Sequence, residues 1–504
     1  MHAHLADPYE HGLRLSGQGR HVEAIEQFER ALGARPDDAR VLFALGNTAR
    51  VLGLAAPAED FFRRVLAQDP ARLEALVSLA NLLRAQGQLA AAEALLAPAL
   101  ARDPDAPELW LTLGSTLREM GNFAGAAEHY RKAIALKPDY AAALANLADL
   151  LTDDGARDEA LALYDRAIRL EPDNAQARMN RAVLHLLNGN LKDGWRDYGA
   201  RLKIAGKAPV PDHGLKRWTG GSLKRTRLLV TAEQGVGDQI MFASMIGDLA
   251  ARTARDGGSV VLECEPRLVA LFARSFPGVT VHAWDLESKG GVPRARYSWL
   301  KAAGGANAFV EMGSLGRILR GDIAAFPRPN AFLKPDAGEM ARWGGLFAGV
   351  GPGPFIGVCW RSGKGGGHRA LQYAPRAAWA DFIAQLPGTV VSVQYDAGAD
   401  EIEELAQMAQ RTIVTLPLDQ KNELDRTAAM LASLDAVVSA PTAVSWLAAA
   451  AGVDTYKVLY DTSWTSFAQA HEPFAPACEL MMPEARGDWG ATFAKTLARL
   501  RERI

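Results

Sequence analysis

A chain of 504 residues exceeds what one hydrophobic core organises, so about three or four domains are expected. Apolar residues at 49% and charged residues at 23% exclude a disordered chain, and the formal net charge of −2 excludes a general nucleic-acid or membrane-surface binder. Cys264, Cys359 and Cys478 stand far apart and outside any zinc spacing, which argues against a disulfide scaffold and fits a reducing compartment. The opening MHAHLADPYEHG lacks the basic-then-apolar layout of a signal peptide. No apolar run approaches the roughly 18 residues of a membrane span, so a cytoplasmic protein without a membrane span is expected.

The first half is periodic. Pro36, Pro70, Pro104, Pro138 and Pro172 are each 34 residues apart. In the same register, Gly12, Gly46, Ala80, Gly114, Ala148 and Ala182 fill a small-residue slot, and Ala24, Ala58, Ala92, Ala126 and Ala160 fill another. Phe28, Phe62, Leu96, Tyr130 and Tyr164 hold an aromatic or aliphatic slot, and Gly19, Gly87, Gly121, Gly155 and Gly189 fall where a turn between helices belongs. Small residues let two antiparallel helices approach, the aromatic fills their seam, and proline ends the second helix. This unit resembles the tetratricopeptide repeat (TPR). Five repeats plus a degenerate capping copy, without the terminal proline, make residues 1–208 an α-solenoid. Its concave face suits an extended peptide or partner protein, with Asn47, Asn81 and Asn146 as candidate clamping amides.

A Pro- and Gly-rich stretch then reads as a linker, 209–224. Beyond it strands and helices alternate: strand 227–233, helix 237–257, strand 259–265, helix 266–276 and strand 279–284. A less regular piece, 285–353, contains NAFVEMGSLGRILR. The alternation restarts with strand 355–360 and continues through strands 389–395, 412–417, 435–440 and 455–461, with helices between them and a last helix from Asp488. Val-rich strands separated by helices predict parallel sheets in two Rossmann-like lobes, 225–353 and 354–504. Ligands bind such sheets at the carboxyl ends of their strands.

Four strand ends hold candidate chemistry. In Glu233-Gln234-Gly235-Val236-Gly237-Asp238 the glycines let a ligand approach the backbone, and Asp238 suits helix capping, catalysis or both. Ile240 occupies the third glycine position of a dinucleotide fingerprint, and no P-loop is present. Arg361, Ser362, Lys364 and Arg369 lie in a cationic glycine loop after the first strand of the second lobe, suited to phosphate. Thr442 and Ala443 open a helix whose amides form a second place for phosphate. Glu311-Met312-Gly313-Ser314 ends a short strand in the first lobe, and His471 is a C-terminal loop histidine. No D-x-D metal motif falls in a plausible loop, so neither a metal nor another cofactor is expected.

Ala232 to Asp238, the segment Val437 to Gly452 and the late Gly487-Asp488-Trp489 resemble bacterial proteins in which tetratricopeptide repeats precede a GT-B glycosyltransferase domain. The stretches DQKNELDRTAAMLASLDAVVSAPTAVSWLAAAAG and YDTSWTSFAQAHEPFAP resemble the subgroup associated with flagellin glycosylation in alphaproteobacteria. The resemblance implies a protein O-glycosyltransferase. The second lobe would bind the nucleotide sugar, Asp238 or Glu233 would serve as base, and Gln234, Gly235, Gly237, Ser314 and His471 would serve the acceptor or sugar. The repeats would recognise the acceptor protein, flagellin, and the donor would be a CMP-activated nonulosonic acid. Pro441 and Trp446 replace the Asp and His of the wider family's Asp-Thr-Ala-x-x-His, which implies a donor other than a heptose nucleotide. The alternatives are transfer to a lipid-linked or polysaccharide acceptor, or a non-catalytic adaptor with a degenerate transferase domain.

Overall fold

The computed structural model describes residues 7–204, 210–289, 292–326, 331–363 and 372–504. The chain divides into two compact units, Met1–Ala177 and Arg178–Ile504.

The first unit holds five helix pairs, from Pro8–Gly17 with His21–Ala34 to Ala141–Asp154 with Arg157–Leu170. The residue slots explain the pairing. Phe28, Phe62, Tyr130 and Tyr164 are fully buried, as are Ala24, Ala58, Ala92, Ala126 and Ala160. A Cβ on Gly12, Gly46 or Gly114 would stand 2.5, 2.6 or 2.9 Å from the ring of Phe28, Phe62 or Tyr130, closer than packed carbons allow. The turns rest on Gly19, Gly53, Gly87, Gly121 and Gly155 at φ +74 to +86°, a region open to glycine. The prolines follow the second helices, and the carbonyls of Pro36, Pro70 and Pro138 accept hydrogen bonds from Arg64, Arg102 and Arg166.

The sixth copy behaves differently from a solenoid cap. Its helix Leu191–Tyr198 buries Trp195 and Tyr198 in the same core as Phe242, Phe467 and Phe474. Trp195 Nε1 donates to the Arg320 carbonyl at 2.8 Å. The compact boundary therefore falls inside this copy, at 177/178, rather than at 208.

The second unit contains two parallel sheets. In the first, β2 (Arg227–Thr231), β3 (Ser259–Cys264), β4 (Thr280–Ala283) and β7 (Ala308–Glu311) lie in the order β4-β3-β2-β7. A small sheet that the pattern did not announce sits in this lobe. Its strands β1 (Val210–Pro211), β5 (Asp285–Lys289) and β6 (Val292–Arg296) are ordered β1-β6-β5. The expected linker is thus built into the lobe. Besides β1, it adds a bridge beside β7, where Trp218 N–H donates to the Phe309 carbonyl at 2.7 Å. The expected helix 237–257 is two helices, Val236–Ala243 and Ile246–Arg255. Between them the Ser244 hydroxyl donates to the Met241 carbonyl at 2.8 Å, competing with the helical ladder.

The second sheet has six parallel strands in the order β10-β9-β8-β11-β12-β13: β8 (Phe355–Cys359), β9 (Thr389–Ser392), β10 (Ile413–Val414), β11 (Ala436–Ser439), β12 (Thr455–Val458) and β13 (Cys478–Met481). Strand alternation feeds two cores. Ile356, Val358, Ala436 and Val438 face Trp379, Phe382 and the C-terminal helix, whereas Val391 and Val437 face the core shared with the first lobe. The edge strand β13 is an addition to the predicted set. The stretch 285–353, expected to be irregular and part of the first lobe, holds helix Ala337–Val350, which attaches to the second: Phe347 stacks on Phe355, and the Ser433 hydroxyl donates to the Met340 carbonyl. No helix among the described residues is long and apolar enough to cross a membrane.

Candidate functional site

Each sheet reverses its winding direction once, between β2 and β7 in the first lobe and between β8 and β11 in the second. Such reversal points leave a crevice beyond the strand ends, where open α/β sheets take ligands. The four loops singled out by sequence are the four loops at these two points. They also come together. A Cβ on Gly237 would lie 3.4 Å from Trp446 Cδ1 and 3.5 Å from Ala443 Cα, so the helix starting at Val236 meets the helix starting at Ala443.

On the first-lobe side, Glu233 is not a free base. It is buried, its carboxylate takes Arg201 Nε at 2.9 Å and Nη2 at 2.6 Å, and it accepts the Gly313 N–H at 2.6 Å. Arg201 also donates to the Ser314 hydroxyl and the Tyr198 carbonyl, both at 3.0 Å, and lies over the Tyr198 ring. Glu233 and Ser314 therefore fasten loops, both Glu233 carboxylate oxygens being engaged by Arg201. Gln234 sits at φ +63°, a strained position for a side-chain-bearing residue, and its amide donates to the Tyr198 hydroxyl at 3.2 Å. Asp238 Oδ2 accepts the Gly235 N–H at 3.1 Å, half of a capping box at the first turn of its helix. It stands in the first turn of the helix that meets Ala443 and Trp446.

On the second-lobe side, Arg361 is engaged. Its Nε donates to Glu401 at 2.7 Å, and its Nη1 makes longer contacts of 3.2 and 3.3 Å to Asp396. Hydrogen bonding to Glu401 holds the guanidinium charged more firmly than usual, and the same bond lowers the Glu401 carboxyl. Gln394 clamps the loop, accepting the N–H groups of Trp360 and Arg361 at 2.9 and 3.0 Å and donating to the Arg361 carbonyl at 2.9 Å. Ser362 stands near the Tyr395 hydroxyl, which accepts the Gly363 N–H at 2.7 Å. Lys364 and Arg369 lie outside the described residues. Thr442 caps its helix through Val444 N–H at 3.3 Å, and its buried hydroxyl neighbours Ser439 and Cys359. Next to this loop a pocket of about 390 Å³ opens at the ends of β9 and β10, and two of its polar atoms, Ser392 Oγ and Gln420 Oε1, are buried without partners among the described residues.

His471 does not join the crevice. It bridges to Glu479 of β13 and lines a surface hollow with Asp454, Arg499 and Arg503, near the start of β12. A loop position carries no information about which end of the strands it reaches. In the first unit Asn47 is part-buried, while Asn81 is exposed and accepts from Arg84 at 2.8 Å. Asn146 is offset from their slot and donates to Ser115 at 3.3 Å, where Ser115 holds the slot itself. Gln394, Glu401, Asp396 and Arg201 are site residues that sequence reading missed. Each acts through a partner some 30 to 40 residues away along the chain. No group of three or more His, Cys, Asp or Glu among the described residues is arranged to hold a metal ion.

Comparisons with known proteins place the first half. The tetratricopeptide repeat family matches residues 9–72, 77–141 and 111–168, and a TPR repeat matches 148–189. Protein FlbA of Caulobacter vibrioides is 33% identical over 329 residues, 64% of this chain and 54% of FlbA. That span is longer than the whole repeat region, so the likeness reaches into the second unit, and the match spans about half the length of this curated relative. Among solved structures, a thermophilic TPR protein of Thermus thermophilus is 29% identical, covering 36% of this chain and 97% of that one at a TM-score of 0.32. PilF of Pseudomonas aeruginosa is 21% identical, covering 39% and 88%, at a TM-score of 0.34.

Proposed function

We propose that this protein is a glycosyltransferase of the GT-B type that moves a sugar from a nucleotide donor to a Ser or Thr hydroxyl of an acceptor protein. The observation that carries the reading is the meeting of two reversal points, with Gly237 against Ala443 and Trp446. Two parallel sheets opening onto one crevice suit a reaction between two separately bound substrates.

In this reading the second lobe takes the donor. The pocket lined by Ser392, Gln394 and Gln420 offers polar side chains for a nucleobase. The amides after Thr442 offer positive charge for the phosphates, and Arg361 adds to it by exchanging its long Asp396 contacts for a phosphate oxygen. Fixed donors of this kind stabilise the leaving phosphate as the bond to the sugar breaks. Asp238 is the base for the acceptor hydroxyl, because Glu233 is committed to Arg201. The repeats bring the acceptor. Flagellin as acceptor and a CMP-activated nonulosonic acid as donor rest on the resemblance of the C-terminal stretches.

Intact-mass spectrometry of flagellin, co-produced with the full chain, tests this directly. The chain should add a sugar mass that Asp238→Asn and Arg361→Ala each remove. An unchanged flagellin mass with the unaltered chain defeats the acceptor assignment. Calorimetry showing no binding of CMP-, UDP- or GDP-linked sugars would leave the adaptor reading standing.

A further inference from the structure

Behind the first-lobe crevice lies a second space, between the β4-β3-β2-β7 sheet and the small β1-β6-β5 sheet. It measures about 270 Å³. That is about nine waters at ~30 Å³ each, roomy for one sugar ring and small for a nucleotide. We propose that this chamber binds a neutral polyhydroxylated ligand of monosaccharide size, held by the carboxyl of Glu263.

Glu263 sits near the end of β3 and is 1% exposed. One carboxyl oxygen, Oε2, accepts the Ala232 N–H at 3.0 Å and the Tyr297 hydroxyl at 3.2 Å. The other, Oε1, has no partner among the described residues. Buried carboxyl oxygens in native proteins are almost always hydrogen-bonded, so an incompletely bonded carboxyl on a residue that lines the chamber points to a ligand that completes it. Burial lifts this carboxyl to about 7, although Ala232 and Tyr297 pull it back. Near neutrality it both donates and accepts, and a hydroxyl complements either form.

The other charges on the wall cancel. Glu311 is paired with Arg217 and Glu233 with Arg201, leaving no net charge to select an ion. Trp284 and Tyr297 supply aromatic surface. An apolar and aromatic wall with a few placed polar groups is the usual make-up of a small-molecule pocket. The inference does not depend on the transferase reading, since the donor and acceptor proposed above meet at the Gly237 crevice instead.

Saturation-transfer NMR on the full chain, with D-glucose, N-acetyl-D-glucosamine and myo-inositol as probes, tests it. At least one probe should receive saturation. Leu286→Trp should abolish the signal, because Leu286 lines the chamber and, at 40% exposed, tolerates replacement. Glu263→Gln keeps the acceptor for Ala232 but presents an amide in place of Oε1, and should weaken binding roughly tenfold with the fold intact by circular dichroism. Silence from all three probes overturns the proposal. So does a signal that survives Leu286→Trp, or one that Arg361→Ala removes while Leu286→Trp does not.

Discussion

The two units treat charge in opposite ways. In the solenoid, ion pairs run between successive first helices, Arg84 with Glu119 and Arg118 with Asp149, and their side chains keep 19–43% of their surface in water. In the second unit Arg201–Glu233 and Lys457–Glu472 are at most 4% exposed. The repeats draw their stability from an apolar seam copied five times, so charge is left at the rim. The second unit uses buried ions to hold loops: Arg201–Glu233 ties the helical tail after Tyr198 to the turns at Glu233 and Gly313, and Lys457 reaches both Glu472 and the face of Trp446. Buried pairs seldom add net stability over apolar packing, so their use at a crevice points to positioning.

The sharpest way to break this contrast is to remove one member of a buried pair. Arg201→Met leaves the Glu233 carboxylate without its cation and should destabilise the second unit by about 3–5 kcal/mol. Urea unfolding followed by tryptophan fluorescence reads the second unit, because every tryptophan except Trp110 lies there. A loss below about 1 kcal/mol would mean the pair is replaceable and the positioning argument is wrong.

Next in size is a pH effect confined to the second unit. Burial raises the Glu263 carboxyl to about 7 from an ordinary value of 4.5. The folded form therefore binds more protons than the unfolded form between those two values. Stability from this group should fall as pH rises through that window, by on the order of 3 kcal/mol at most, and level off above it. Glu263→Gln should flatten the slope. A slope of the opposite sign, or one that Glu263→Gln leaves in place, would show that another group titrates there.

These residues mark the limit of what the sequence discloses. The solenoid is legible because each repeat writes the same contacts at a spacing of 34, so Phe62 and Tyr130 identify each other. The parallel sheets are legible because strands such as β3 and β11 are continuous buried runs, and the crevice loops because glycines cluster at strand ends. Arg201 carries no local signature: it follows a helix like any surface arginine, and its burial depends on Glu233, 32 residues away. Glu263 had a signal that could be read, a lone acid inside the apolar run VVLEC. His471 had none, since which end of a strand a loop returns to is settled by tertiary packing.

A smaller effect tests the seam itself. Gly46→Ala would place a Cβ 2.6 Å from the Phe62 ring. The fifth repeat already carries Ala148 in this slot opposite buried Tyr164, so the helices can adjust, and the cost should be about 1 kcal/mol, the low end for overpacking. Gly33, on a helix with nothing within 4 Å of a Cβ, is the control: Gly33→Ala should stabilise by ~0.4–1 kcal/mol. Equal effects at the two sites, read from the helical signal in urea, would remove the seam from the explanation.

The smallest effect is the most direct comparison of the two units. Arg84 and Glu119 form the same chemical pair as Arg201 and Glu233, but with 19% and 43% of their side chains exposed against 4% and 3%. A double-mutant cycle on Arg84 and Glu119 should give a coupling of about 0.2–1 kcal/mol, shrinking as salt is raised because water and ions reach the pair. The matching cycle on Arg201 and Glu233 should be several times larger and indifferent to salt. If the exposed pair proved as strong and as salt-resistant as the buried one, burial would not be what separates them. The solenoid's rim charges would then have to be counted with its seam as part of what holds the repeats in register.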